Sequence, residues 1–116
     1  MKIDTHQHYW HYHPPAFPWI SEDMPALRQD RMPSDCLPAM QACGVDAVMA
    51  VQARGEQAET DFLLGLAAQD PRIVGVVGWA DLAAPALEAQ LDQWAGQTAL
   101  RGLRHILQDE PDITTL

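Results

Sequence analysis

Two histidines near the start of the chain are the residues best suited to chemistry. His6 and His8 are separated by a single residue in the segment 3–8 (IDTHQH). Along a β-strand, residues two apart point to the same face, so the two imidazoles are expected to lie side by side. Neutral imidazole is a common ligand of zinc, and a bound metal can lower the pKa of a water to about 7. The pair therefore predicts a divalent metal site, with zinc as the favoured ion.

A pair of ordinary surface histidines is the alternative interpretation. His11 and His13 follow at the same spacing, so the segment is rich in histidine as a whole. These two precede a pair of prolines, and we interpret them as loop residues. The end of a first strand in a β/α series is a typical place for metal ligands, and this position favours the metal site for His6 and His8.

Apolar runs and helical patterns alternate along the chain and supply the elements that position this pair. Residues 9–33 form a loop rich in aromatic residues and proline, which is too long for a plain connector. The order βαβαβαβ predicts an α/β fold with a parallel sheet and helices outside it. Four strands fit either a small doubly wound sheet or half of a TIM-type (β/α)8 barrel. The predicted strands are 2–8, 45–53, 72–79 and 100–107, and the predicted helices are 34–43, 56–69 and 84–97.

Length and charge exclude several classes of function. The 116 residues are expected to form a single domain, residues 1–116, and are too few for a closed barrel, which takes about 250 residues. Seven basic residues against sixteen acidic ones give a net charge of −9, which argues against nucleic acid as a partner. Neither an export signal nor a membrane span is visible. We expect a cytoplasmic protein in which Cys36 and Cys43 are reduced core residues that are too far apart to bridge.

Four short motifs together resemble a known family. They are residues 3–10 (IDTHQHYW), 51–53 (VQA), 102–105 (GLRH) and 108–111 (QDEP). In this combination the chain resembles the N-terminal half of an amidohydrolase-superfamily enzyme. Within that superfamily it is most similar to the branch of predicted metal-dependent hydrolases that includes L-fuconolactonase and 2-pyrone-4,6-dicarboxylate lactonase. The resemblance covers the whole chain.

The resemblance implies a hydrolase that opens a small-molecule lactone at the carboxyl ends of the barrel strands. His6 and His8 match the metal-binding pair of the first strand, although some lactonases of this branch work without a bound metal. Arg104 matches an arginine of the fourth strand that holds a substrate carboxylate or the lactone carbonyl; a structural ion pair is the alternative. Gln52 ends an apolar strand and needs polar partners, either the substrate or a neighbouring loop. The loop aromatics are expected to line the substrate pocket or to pack the loop onto the rim; they are Trp10, Tyr12, Phe17 and Trp19.

The resemblance also implies that part of the site is supplied from elsewhere. Further histidines of the superfamily and its aspartate on the eighth strand would lie beyond Leu116, so we name no catalytic residue in this chain. We expect the 116 residues alone to be inactive. Because half of a barrel leaves the first and fourth strands with unpaired edges, we expect self-association or pairing with a C-terminal half.

Two other functions also fit the sequence. A metal-dependent decarboxylase of the same superfamily shares the histidine pair and also binds carboxylates with arginine. A non-catalytic α/β binding module of flavodoxin-like shape is the third alternative. The segment 9–18 has no glycine, so the phosphate-binding loop of many such modules is absent after the first strand.

Overall fold

Strands and helices alternate in the computed structural model, which describes residues 1–108 and 110–115. Asp109, which contributes to the resemblance, and Leu116 lie outside the described residues. Three short 3-10 helices occupy the loops. The strands are β1 (Ile3–Gln7), β2 (Ala47–Val51), β3 (Ile73–Gly78) and β4 (Leu100–Leu103). The α-helices are α1 (Pro33–Cys43), α2 (Gln57–Gln69) and α3 (Leu87–Trp94), and the 3-10 helices are Pro14–Ala16, Pro25–Leu27 and Ile113–Thr115.

The four strands form one parallel sheet in the order β1-β2-β3-β4. Each connection passes through a helical layer, as the predicted βαβαβαβ order requires. The α/β class and the parallel sheet are therefore confirmed. A doubly wound sheet reverses its strand order at a switch point, and the sequential order found here has none. This order agrees with a segment of a barrel and argues against the flavodoxin-like alternative.

The main core lies between the sheet and the helices. Four of the five β2 residues are buried, which agrees with a strand covered on both faces. Val48 and Val76 on the sheet and Leu63 on α2 have at most 1% of their surface exposed. A second cluster lies under the long loop, where Trp10, Phe17 and Ala53 pack together. This cluster folds the loop back onto the carboxyl end of β2.

Some elements begin or end earlier or later than the sequence pattern predicts. Helix α1 begins at Pro33, one residue before its predicted start, and the Asp35 carboxylate accepts a hydrogen bond from the Met32 N–H at 2.7 Å. Strand β4 ends at Leu103 instead of residue 107. Helix α3 begins at Leu87 instead of residue 84, because a turn precedes it.

Both cysteines are free, as predicted, but they are not both core residues. Cys36 is half-buried, and its Sγ lies 3.2 Å from the Tyr9 hydroxyl. Cys43 is exposed in the last turn of α1, so its assignment to the core is wrong. The sequence pattern predicts that Gly44 ends this helix, and it does so with a φ of 68°, the left-handed conformation that glycine adopts easily.

None of the helices in residues 1–108 and 110–115 has the length and apolar character needed to cross a membrane.

Gly78 at the end of β3 leaves room for a buried threonine of α2. A Cβ at Gly78 would lie 2.5 Å from Thr60 Oγ1. This hydroxyl cannot swing away freely, because it donates to the Trp79 carbonyl at 2.7 Å and accepts from the Trp79 N–H at 2.8 Å. We expect Gly78→Ala to lower the free energy of unfolding by about 1–3 kcal/mol, measured by urea denaturation.

Gly65→Ala is the matched control for this prediction. Gly65 lies on the exposed side of α2, and beyond its chain neighbours a Cβ there would meet no described side chain within 4 Å. Alanine is the better helix former, so this variant should be more stable by up to about 1 kcal/mol. Similar stability for the two variants would contradict the steric argument.

Candidate active site

The candidate site lies at the carboxyl edge of the parallel sheet. His8 follows β1, Gln52 follows β2, Trp79 follows β3 and Arg104 follows β4, each directly after its strand. Parallel strands bring these positions to the same edge, so residues far apart in the sequence become neighbours. The site is therefore assembled from the ends of all four strands.

His8 is held in a form that suits a metal ligand. Its Nδ1 lies 2.9 Å from the Val51 carbonyl oxygen, which can only accept a hydrogen bond, so Nδ1 carries the proton. The lone pair of the neutral ring is then on Nε2. Burial is the main cause that lowers the pKa of His8 below its usual range, which favours the neutral ring.

His6 and His8 are neighbours, as the spacing predicts. Their ring centroids lie 4.9 Å apart, with the ring planes at 78° to each other, and His6 is exposed. Among the described residues, no group of three or more His, Cys, Asp or Glu side chains is placed to hold a metal ion. Zinc usually takes four ligands, and the two imidazoles fit the role of two of them. Metal binding by His6 and His8 stays a prediction.

Arg104 and Gln52 are bonded to each other. Arg104 Nε donates to Gln52 Oε1 at 2.5 Å, and Nη2 donates to the Gln52 carbonyl at 3.1 Å. Gln52 is completely buried, and its Nε2 donates to the Arg54 carbonyl at 3.2 Å. The protein thus satisfies the Gln52 amide, which orients the arginine. Burial lowers the pKa of Arg104 from its ordinary value, although an arginine stays charged at neutral pH.

A first cavity, here called the basic cavity, is lined by two of the predicted site residues, His8 and Arg104. It has a volume of about 260 Å³. Its described lining residues are His8, Trp19, Ala53, Arg104, Ile106 and Gln108. Among these, His8 and Arg104 are the charged or titratable ones. The guanidinium that faces this space suits an electron-rich carbonyl or carboxylate group.

A second cavity, here called the acidic cavity, adjoins the first. It has a volume of about 340 Å³ and shares Trp19, Ala53 and Ile106 with the basic cavity. Glu56 and Glu110 line it together with Trp79, His105 and Arg54. The sequence pattern does not single out either glutamate as a site residue.

His105 also belongs to this cavity, although strand geometry predicts that it points away from the site. That prediction requires β4 to continue through His105, whereas the strand ends at Leu103 and alternation no longer applies. Trp79 Nε1 donates to His105 Nδ1 at 3.1 Å, and His105 Nε2 lies 2.5 Å from Glu110 Oε1. Since an indole N–H can only donate, Nδ1 accepts and Nε2 carries the proton. The bond from Trp79 ties the segment after β4 to the end of β3, and the bond to Glu110 lies within that segment.

Trp10 is placed differently from the other candidates. Only 7% of its surface is exposed, its Nε1 donates to the Leu27 carbonyl at 3.2 Å, and it packs in the loop cluster. It lines a smaller cavity of about 170 Å³ that His8 also borders. From the same loop, Trp19 lines both the basic and the acidic cavities. Trp19 is thus the predicted loop aromatic that borders both larger cavities, and a substrate contact of either tryptophan stays a prediction.

Two buried polar residues of α2 hold the strand ends in place. Glu59 Oε2 accepts a hydrogen bond from the Ala53 N–H at 2.7 Å, just after β2. Thr60 exchanges two hydrogen bonds with the backbone of Trp79, just after β3. The sequence pattern predicts an apolar face at residues 62, 63, 66 and 67, and these residues lie in the core or pack against it. Glu59, Thr60 and Leu64 are buried as well. The first turn of α2 therefore supports the backbone of the site.

Comparison with known proteins agrees with this geometry. A model of the amidohydrolase family matches residues 3–115. The chain belongs to the amidohydrolase family. It is 48% identical over 113 residues to an L-fucono-1,5-lactonase of Burkholderia multivorans and 32% identical over 112 residues to an L-fucono-1,5-lactonase of Burkholderia ambifaria. Each match covers 97% of this chain, which spans 38% and 39% of the length of these relatives.

Two crystal structures of an amidohydrolase from Burkholderia multivorans show the same fold. One has bound zinc and the other has bound HEPES. Both superpose with a TM-score of 0.91 at 48% sequence identity, over 97% of this chain and 39% of the solved one. The family resemblance and the TIM-type α/β fold predicted from the sequence are thus confirmed for this amidohydrolase chain.

Proposed function

We propose that this amidohydrolase chain supplies one side of a lactonase active site that opens a sugar 1,5-lactone with water. The observation that carries the proposal is the shared basic cavity of His8 and Arg104 at the carboxyl ends of β1 and β4. The 48% identity to an L-fucono-1,5-lactonase along nearly the whole chain supports the choice of L-fucono-1,5-lactone as substrate.

The reaction is an ester hydrolysis within a ring. The oxygen of water attacks the lactone carbonyl carbon, and negative charge develops on the carbonyl oxygen. The bond from this carbon to the ring oxygen then breaks, and the ring oxygen takes up a proton as the new hydroxyl. The product is an open-chain hydroxy acid, and the second proton of the water passes to a base.

Arg104 is the residue of this chain that is suited to the developing negative charge. Two of its N–H groups are held by Gln52, so the guanidinium has a fixed orientation before the substrate arrives. A preoriented donor stabilises a transition-state oxyanion without reorganising during the reaction. We assign Arg104 to the carbonyl oxygen of the lactone and, after hydrolysis, to the product carboxylate.

We propose His6 and His8 as part of a zinc site for the same reaction. A zinc ion polarises a carbonyl and lowers the pKa of a bound water. The neutral His8 ring, with its Nε2 lone pair free, fits this role. The further ligands and the base that takes the proton from water are proposed to come from outside residues 1–116.

Unpaired strand edges indicate where the remaining part of the site belongs. Within the described residues, β1 pairs with β2 alone and β4 pairs with β3 alone. We propose that further parallel strands pair with these edges, from a C-terminal half or from a second copy of this chain.

A chimeric protein tests the proposed function. In this protein, residues 3–115 replace the matching segment of the Burkholderia multivorans lactonase. We expect the purified chimera to hydrolyse L-fucono-1,5-lactone, followed by proton release in a weakly buffered solution. The 116-residue chain alone should show no hydrolysis above the uncatalysed rate.

The unmodified lactonase is the positive control, and a cooperative thermal transition verifies that the chimera is folded. His6→Ala and His8→Ala in the chimera should each lower its zinc content, measured by metal analysis after dialysis. A folded chimera with no lactonase activity would reject the proposed function.

A further inference from the structure

The acidic and basic cavities differ in charge although they share three lining residues. Arg104 gives the basic cavity its positive charge and its N–H donors, and His8 adds a neutral imidazole. Glu56 and Glu110 give the acidic cavity two carboxylates, partly offset by Arg54. A ligand that spans both cavities would therefore meet opposite chemistry at its two ends.

Each glutamate of the acidic cavity keeps acceptor capacity. Glu110 Oε1 is bonded to His105, and Glu56 Oε2 is bonded to Arg54 at 3.1 Å. Among the described residues, the other oxygen of each carboxylate has no hydrogen-bond partner in the protein. A carboxylate oxygen is an acceptor alone, so it suits the hydroxyl groups of a ligand and repels a second anion.

Aromatic surface accompanies these acceptors. Trp19 and Trp79 both line the acidic cavity, and their indole N–H groups are already engaged, with the Ala53 carbonyl and with His105. What they offer to a ligand is therefore the apolar part of the ring. Apolar walls with a few fixed polar groups are typical of a small-molecule site.

We infer that the acidic cavity binds the hydroxyl-bearing part of a neutral sugar ring and thereby orients the acyl end toward Arg104 in the basic cavity. Only the placement of the acyl end at Arg104 rests on the proposed function. The binding of hydroxyl groups by Glu56 and Glu110 does not depend on it. The two carboxylates favour the neutral lactone over an anion at this end, and they decide which face of the sugar is presented.

Binding of two probes to the isotopically labelled 116-residue chain, followed by NMR, tests the inference. L-Fucose is the neutral probe and L-fuconate is the acid probe. Both should cause saturable shifts of the Trp79 and Trp19 indole N–H signals, and L-fuconate alone should shift the Arg104 Nε–H signal. The Trp94 indole, which donates to Asp61 at 3.1 Å on another part of the fold, is the internal reference.

Variants separate the carboxylate from the aromatic wall. Glu110→Gln keeps an oxygen that can accept from His105 but removes the charge, so we expect L-fucose to bind about tenfold more weakly. Glu88→Gln, an exposed glutamate on α3, should leave the affinity unchanged.

Two results would overturn the inference: no saturable L-fucose shift at Trp79, or equal L-fucose affinity for Glu110→Gln and the unmodified chain. L-Fucose shifts at Trp79 without any L-fuconate shift at Arg104 would support the sugar site. The same result would count against the proposed role of Arg104.

Discussion

Replacing Arg104 with methionine should lower kcat/KM of the chimera for L-fucono-1,5-lactone by about 10²- to 10³-fold. This is the loss typical of removing a donor that stabilises a transition-state oxyanion. Methionine keeps much of the length of the side chain and removes all five N–H groups. Because the missing interaction strengthens as charge develops on the carbonyl oxygen, most of the loss should fall on kcat. Steady-state kinetics with the purified variant measure both parameters.

Arg104→Met is also expected to lower the free energy of unfolding, and this loss needs its own control. Without the guanidinium, Gln52 Oε1 loses its donor in a buried place, which costs about 1–3 kcal/mol. Adding Gln52→Leu removes that unsatisfied oxygen. We expect the double variant to regain part of the stability and none of the activity, which separates the chemical role from folding.

A second arginine serves as the matched control. Arg72 is also bonded through Nε and Nη2, in its case to the Asp70 carboxylate, but it lies before β3 at the opposite edge of the sheet. Arg72→Met should leave kcat/KM within about twofold of the chimera, because surface ion pairs contribute little to stability and this one is remote from the cavities. Near-normal activity in Arg104→Met would reject the role of Arg104 in the reaction.

The fold was predictable because its signals are local. The apolar run before Gln52 marks a strand covered on both faces, and Gly44 marks the end of a helix by a conformation that glycine adopts easily. The alternation of such segments fixes a parallel sheet. The end of β4 was not predictable in the same way. Residues 104–107 continue the pattern of a strand, whereas the structure turns Arg104 toward Gln52.

The site was predictable where the chemistry lies in a short motif, as it does for His6 and His8. The partners of Arg104 were not, because Gln52 is 52 residues away and their contact exists only after β2 and β4 enter one sheet. Glu59 carried no signal at all. A glutamate in the first turn of a helix is ordinarily exposed, and its burial here depends on the turn after β2 folding over it.

That buried glutamate should contribute strongly to stability. Glu59 is 1% exposed, accepts from the Ala53 N–H at 2.7 Å and lies 3.8 Å from Arg54 Nε, a buried atom without a hydrogen bond in the described residues. Glu59→Ala removes the carboxylate from both the Ala53 N–H and Arg54 Nε. We expect the free energy of unfolding to fall by about 3 kcal/mol, measured by urea denaturation. Glu88→Ala, an exposed first-turn glutamate of α3, should change it by less than about 0.5 kcal/mol.

The charge of Glu59 should be visible in the pH dependence of stability. Burial is the main cause that raises the pKa of Glu59 above its usual 4.5, against the opposing effects of Ala53 and Arg54. The folded state therefore binds a proton more readily than the unfolded state. As the pH rises from 4.5 through the raised pKa, this residue's contribution to the free energy of unfolding decreases.

Glu59→Gln removes this titration while keeping an oxygen for the Ala53 N–H. The stability of the glutamine variant relative to the unmodified chain should therefore increase as the pH rises above 4.5, measured in urea at a series of pH values. If the free energies of unfolding of the two proteins differ by a constant amount across that pH range, Glu59 does not carry the buried charge that its position indicates. Its hydrogen bond to Ala53 would then be a contact that a neutral side chain makes equally well.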